Sequence, residues 1–193
     1  MSDHAGNAPR CCAVGVSSKI VGRVVVGVDC SPGSLEALRH ALGQARRLDA
    51  TLIPVHAWQV PGGDVPTRRA ASPGYTRMVR ELAEQELRRA FEEGLGGLPS
   101  DVPVEPWLIR GTPGAALVET ADRCNDLLVI GAGRRGRLRH PLRASTARYC
   151  LAHAACPVIA VPPPRLQAEL SSPHRLRAGA DRLARELSTA RAR

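Results

Sequence analysis

Apolar positions along the chain fall into two patterns. Some form short continuous runs, and others recur three and four residues apart. Arg23 to Asp29 (Arg-Val-Val-Val-Gly-Val-Asp) is a continuous run rich in β-branched residues. That is the pattern of a strand buried on both faces of a parallel sheet. Ser31-Pro32-Gly33-Ser34 follows as a turn, with Ser34 placed to cap a helix whose apolar face holds Leu35, Leu38, Leu42, Ala45 and Leu48. Thr51 to Trp58 reads as a second strand, and residues 61–74, rich in Pro, Gly and Arg, read as a mobile loop. Tyr75 to about Gly94 predicts a helix with Met78, Leu82, Leu87, Ala90 and Phe91 as core positions, ended by Gly94, Gly96 and Gly97. Val102 to Ile109 predicts a third strand near an edge, because Pro103 and Pro106 interrupt it.

Gly111-Thr112-Pro113-Gly114 opens a helix running to about Ala121, with proline just inside its start. Leu127 to Ile130 is a fourth strand, Ser145 to His153 a helix, and Pro157 to Val161 a fifth strand. Pro162-Pro163-Pro164 stops the domain. This alternation predicts an α/β fold, an open parallel five-stranded sheet of order 3-2-1-4-5 with helices on both faces. Ligands of such sheets bind beyond the carboxyl ends of the strands, where the strand order reverses. Here that point lies between strands one and four, which end at Asp29 and Gly131.

A length of 193 residues suits one domain with tails: residues 1–20 as a disordered N-terminal tail, 21–164 as the domain, and 165–193 as a basic tail. Leu176, Leu183 and Leu187 give that last segment roughly helical spacing. Aromatic residues make up only 3%, so aliphatic side chains and alanine must fill the core. No apolar run is long enough for a membrane span, and Met1 to Ile20 contains no secretory h-region. The six cysteines form no C-x-x-C pair, so reduced thiols in the cytoplasm are expected, with Cys150 and Cys156 as small buried apolar residues. The formal charge of +9 comes almost wholly from arginine, Lys19 being the only lysine. That skew resembles a codon bias, and charge alone makes no case for nucleic-acid binding.

The segment from Asp126 onward runs from a strand into Gly131-Ala132-Gly133-Arg134-Arg135-Gly136, then a basic loop, then Ser145-Thr146 at a helix start. A strand, a glycine-rich loop and a helix N-terminus together form a phosphate cradle. Gly131-x-Gly133-x-x-Gly136 also matches the dinucleotide fingerprint. Pro141 delays the helix, however, and no acidic residue lies between Asp126 and Glu169 to hold a ribose. No G-x-x-x-x-G-K-[ST] or G-x-S-x-G sequence occurs, and no pattern of metal ligands. No residue stands out as catalytic; His56 and His153 read as packing residues at a strand end and a helix end.

Several pieces together resemble the universal stress protein family. They are Val-Val-Gly-Val-Asp29 followed by Ser-Pro-Gly-Ser, then Val55-His56-Ala57, then Gly111-Thr-Pro-Gly-Ala-Ala-Leu-Val. Asp126-Leu-Leu-Val-Ile-Gly and His153-Ala-Ala-Cys-Pro-Val complete the set, which runs from about Arg23 to Val161. The resemblance implies an adenine-nucleotide alpha-hydrolase-like fold and a cytoplasmic protein, dimeric through its last strand. It further implies a loop of the form G-x-x-G, nine residues, then G-[ST] in members that bind ATP. Counted back from Ser145, Gly131 takes the first glycine, Arg134 the second and Ala144 the third, with Gly133 and Gly136 flanking Arg134. By the same resemblance Asp29 and Val55 lie near adenine and ribose, Ile130 beside Gly131, and Gly131, Ser145 and Thr146 near the phosphates. Magnesium would bridge those phosphates if ATP is the ligand.

The reading is therefore a nucleotide-responsive binding or regulatory protein, not a dedicated enzyme. The alternative is a family member that binds no ATP and acts as a dimeric interaction protein, favoured by Arg134 and Ala144 standing where glycine is expected.

Overall fold

The computed structural model describes residues 21–60, 73–132 and 145–164. The tails 1–20 and 165–193, most of the expected mobile loop, and Gly133, Arg134, Gly136 and Ala144 lie outside the described residues. The elements are β1 (Arg23–Gly27), α1 (Pro32–Leu48), β2 (Thr51–Trp58), α2 (Pro73–Leu95), β3 (Trp107–Arg110), α3 (Pro113–Thr120), β4 (Asp126–Gly131), α4 (Thr146–His153) and β5 (Val158–Val161). The strands pair in parallel in the order β3-β2-β1-β4-β5, as the alternation of elements predicts.

β1 is the centre of this order, and its Val24, Val25 and Val26 are all fully buried. Val24 and Val26 pack with α1 and α2 residues such as Leu38 and Phe91, while Val25 packs on the other face with Leu117, Leu128 and Cys150. Burying a side chain of this size stabilises by roughly 1.5–3 kcal/mol. A strand with no exposed face thus explains its unbroken apolar run. Cys150 and Cys156 are buried as expected.

Four expectations need correction. The third strand is shorter than Val102 to Ile109 because Pro103 and Pro106 have no N–H for the ladder. The segment before β3 touches β2 only through a bridge at Val104, where Leu52 exchanges backbone bonds with Pro103 and Glu105. α1 begins at Pro32, so its cap is Ser31 and not Ser34: proline takes the first helical position, where no N–H is needed. Residues 73–74 belong to α2 and not to the preceding loop. Within α2, Met78 and Leu82 are 48% and 51% exposed. Leu87, Ala90 and Phe91 are buried as expected, and Ala83 and Gly94 join them. Small residues decide this docking: a Cβ on Gly94 would lie 3.1 Å from Leu38 Cδ2, so glycine there lets α2 close on α1.

The amino ends of β1 and β4 are tied by charge. Asp126, 1% exposed, accepts from Arg23 Nε at 2.8 Å and from the Arg123 amide at 3.0 Å. Arg23 also donates to the Thr120 carbonyl and to Asp122. The Asp126 carboxylate raises the Arg23 pKa more than partial burial lowers it. Removing one partner of a buried pair strands the other charge, at about 3–5 kcal/mol. Asp126→Ala should therefore lower the urea-unfolding free energy by about that amount, whereas Asp122→Ala, removing a carboxylate that is 65% exposed, should cost about 1 kcal/mol or less.

Candidate functional site

A cleft of about 420 Å³ opens at the carboxyl ends of β1 and β4, where the strand order reverses. Its volume lies within the ordinary range for small-molecule sites, roughly 300–1,000 Å³. Val55 and Ala57 of β2, Leu117 of α3 and Ile130 of β4 give it apolar walls. The β1–α1 turn, residues 28–34, forms one polar side, and Thr146 at the start of α4 forms another.

The turn holds its shape through its own polar groups. Asp29 Oδ1 accepts from the Ser31 amide at 3.1 Å and from Ser31 Oγ at 2.6 Å. Ser34 Oγ accepts from the Asp29 amide and donates to the Ser31 carbonyl, each at 3.1 Å. Ser31 Oγ in turn accepts from the Ser34 amide at 3.2 Å, capping α1. Partial burial pushes the Asp29 carboxyl upward, but the bonds from Ser31 and Ser34, with His56 nearby, outweigh it and hold the pKa below the usual value. Oδ1 of Asp29 is thus the acceptor that orders the turn.

Gly131 sets how closely the two sides of the cleft approach. A Cβ there would lie 2.9 Å from the Gly33 carbonyl oxygen and 3.1 Å from its carbon. Backbone cannot swing away as a side-chain tip does, so the end of β4 must be glycine for the β1–α1 turn to rest on it. Gly27 has a related role on the cleft floor, where Leu117 Cδ1 would meet its Cβ at 2.9 Å.

Of the residues expected at the site, Asp29, Val55, Ile130, Gly131 and Thr146 are brought together around the cleft. Ser145 is the exposed residue before α4; its side chain makes no capping bond and does not line the cleft. Residues 31–34, Leu117 and Pro163 line the cleft without having been assigned to it from sequence. The turn sequence and strand-end rule already pointed to residues 31–34. Pro163 arrives because β5 pairs beside β4, and the Ala132 amide donates to Val161. His153, the expected packing residue, stacks on Tyr149 with ring centroids 4.2 Å apart. Among the described residues no group of three His, Cys, Asp or Glu could hold a metal ion, and no helix is long and apolar enough to cross a membrane.

Residues 21–162 match the profile of the universal stress protein family. A universal stress protein of Methanocaldococcus jannaschii is 27% identical over 146 residues, 74% of this chain and 83% of that protein. One from Mycolicibacterium smegmatis is 31% identical over 143 residues, and this chain spans only 45% of its length. Among solved structures, a universal stress protein in complex with cAMP is 26% identical, with a TM-score of 0.54, covering 75% of this chain and 98% of that one.

Two outcomes test this geometry. Gly131→Ala should destabilise the protein by about 1–3 kcal/mol in denaturant unfolding, as overpacking against fixed backbone does. Ser31→Ala should raise the Asp29 pKa, read from carboxyl carbon shifts in an NMR titration. A depressed carboxylate stabilises the fold fully above its unfolded pKa, about 4, and loses that contribution as pH falls through the lower folded value. Ser31→Ala should therefore narrow the stability gap to wild type as the solution is acidified.

Proposed function

The chain belongs to the universal stress protein family, and on that premise we propose that its cleft binds an adenine nucleotide and that the protein acts as a nucleotide-responsive regulatory protein in the cytoplasm. The observation that carries this reading is an apolar cleft of about 420 Å³ at the switch point, with a carboxylate at one side and a helix N-terminus at another. Val55, Ala57, Leu117 and Ile130 offer a surface for a purine ring. Asp29, whose Oδ1 is engaged by Ser31, has Oδ2 to offer a ribose hydroxyl. Gly131, Thr146 and the start of α4 suit the phosphate end. Ser145, Gly133, Arg134, Gly136 and Ala144 belong to the same loop by sequence. Cyclic AMP in the related solved structure supports an adenine ligand.

Asp29 is the one carboxylate lining the cleft among the described residues. If the nucleotide is ATP, its magnesium would therefore be held mainly by phosphate oxygens. We read the protein as a binder and not as an enzyme, because the Ser31 and Ser34 hydroxyls are both committed to holding the turn, Ser31 by donating to Asp29 and Ser34 by donating to the Ser31 carbonyl. β5 lies at the sheet edge, in keeping with a homodimer through that strand. The second reading, an interaction protein with a vacant cleft, rests on Arg134 and Ala144 replacing glycine.

Calorimetric titration with AMP, cyclic AMP and Mg-ATP separates the readings. Saturable heat should accompany thermal stabilisation, worth about 2.7 kcal/mol at a hundredfold excess over Kd. The absence of both heat and stabilisation at millimolar nucleotide would sink the binding role. Paired Arg134→Gly and Ala144→Gly changes should tighten ATP binding. ADP release on the order of 1 per second would instead make the protein an enzyme.

A further inference from the structure

Behind the β1–α1 turn sits a buried histidine that the cleft itself does not use. His56 is 5% exposed and points from β2 away from Val55 and Ala57, toward the α1–α2 side of the sheet. Its Nδ1 lies 2.8 Å from the Val28 carbonyl, and its Nε2 lies 3.3 Å from Glu86 Oε2 on α2. A carbonyl only accepts, so Nδ1 carries a proton and donates. In the neutral ring Nε2 would then present a lone pair to a carboxylate oxygen. Both contacts are attractive only when both nitrogens donate, which is the imidazolium.

The other groups around the ring belong to the same brace. Val28 lines the cleft, and its amide donates to Val55 at 2.9 Å. Cys30, two residues on, has φ 53, a left-handed conformation that a non-glycine residue keeps only where its surroundings hold it. Its thiol donates to the Glu86 carbonyl at 3.0 Å. Glu86 thus grips the turn twice, by backbone through Cys30 and by side chain through His56. Among the described residues, the ionisable groups that act on the ring are Glu86 on α2 and Asp29 on the turn. Farther along α2, Arg89 and Glu93 pair with each other.

We propose that His56 is a positioning residue for the nucleotide site: as an imidazolium between Val28 and Glu86 it braces the β1–α1 turn against α2, and nucleotide affinity follows its protonation. The role in affinity rests on the nucleotide reading above; the brace itself does not. A charged ring that gains a partner contributes at low pH and loses that contribution as pH rises.

The test compares wild type, Glu86→Gln and His56→Gln at about pH 5.5 and about pH 8. Each protein is melted without nucleotide and titrated with cyclic AMP, whose phosphodiester keeps one charge throughout. Glu86 is 60% exposed, so its replacement leaves the core intact. Without nucleotide, wild type should melt above Glu86→Gln at the lower pH, and the gap should close at the higher. Wild-type affinity for cyclic AMP should fall about fivefold on raising the pH, with a flat response in both variants. Variants that keep the wild-type pH response in melting overturn the brace. A melting gap accompanied by pH-independent affinity overturns its link to the site. A melting gap with no cyclic AMP binding in any protein supports the brace and counts against the nucleotide reading alone.

Discussion

The complete burial of β1 is the constraint from which the rest of the structure follows. A central parallel strand has no solvent face, so each neighbour must be covered on both sides, and each connection must cross over the sheet through a helix. Val24 and Val26 need α1 and α2 over them, and Val25 needs α3 and α4. With one phenylalanine and two tryptophans in the whole chain, that cover is aliphatic side chains and alanine packed closely. Parallel strands also deliver all their carboxyl ends to one rim, and with β1 central the turns after β1 and β4 leave in opposite directions. The cleft is the gap between those departures.

The walls of that gap are held by different means. The Asp29, Ser31 and Ser34 network keeps the turn rigid without a ligand, so its polar groups are oriented before anything binds. Gly131 fixes the distance between the turn and β4 by contact with the Gly33 backbone. A glycine at the end of this strand therefore has a packing reason as well as a ligand-binding one. The two reasons agree, since a turn resting on β4 leaves the mouth open on the side where Thr146 begins α4.

Sequence reading succeeded where one physical signal dominated. Element type and sheet order followed from apolar runs and crossover logic, and the cleft opens at the ends of β1 and β4, where the strand-end rule puts it. It failed where shape outweighed hydrophobicity. Met78 and Leu82 look like core by type, but α2 docks farther along, through the expected Leu87, Ala90 and Phe91 together with Ala83 and Gly94, whose merit is small size and not apolar area. Ser34 suits a cap by residue type, but Pro32 takes the first helical position, so the helix starts earlier and Ser31 is its cap. Pro163 carries no chemical signal at all and reaches the cleft through strand pairing.

The tie between Arg23 and Asp126 closes a loop of 103 residues. Closing so long a loop costs conformational entropy before any contact is formed, and parallel pairing across such separations is slow. β1, α1, β2, α2 and β3 are consecutive in the chain and can associate first; β4 reaches its place beside β1 only at the end of that long closure. The cleft takes walls from both sides of this seam, Val55 from one and Ile130 from the other, so its walls meet only where β4 pairs with β1. A ligand held there would bridge the two sides of the seam, and by mass action it would favour the chain in which they are joined.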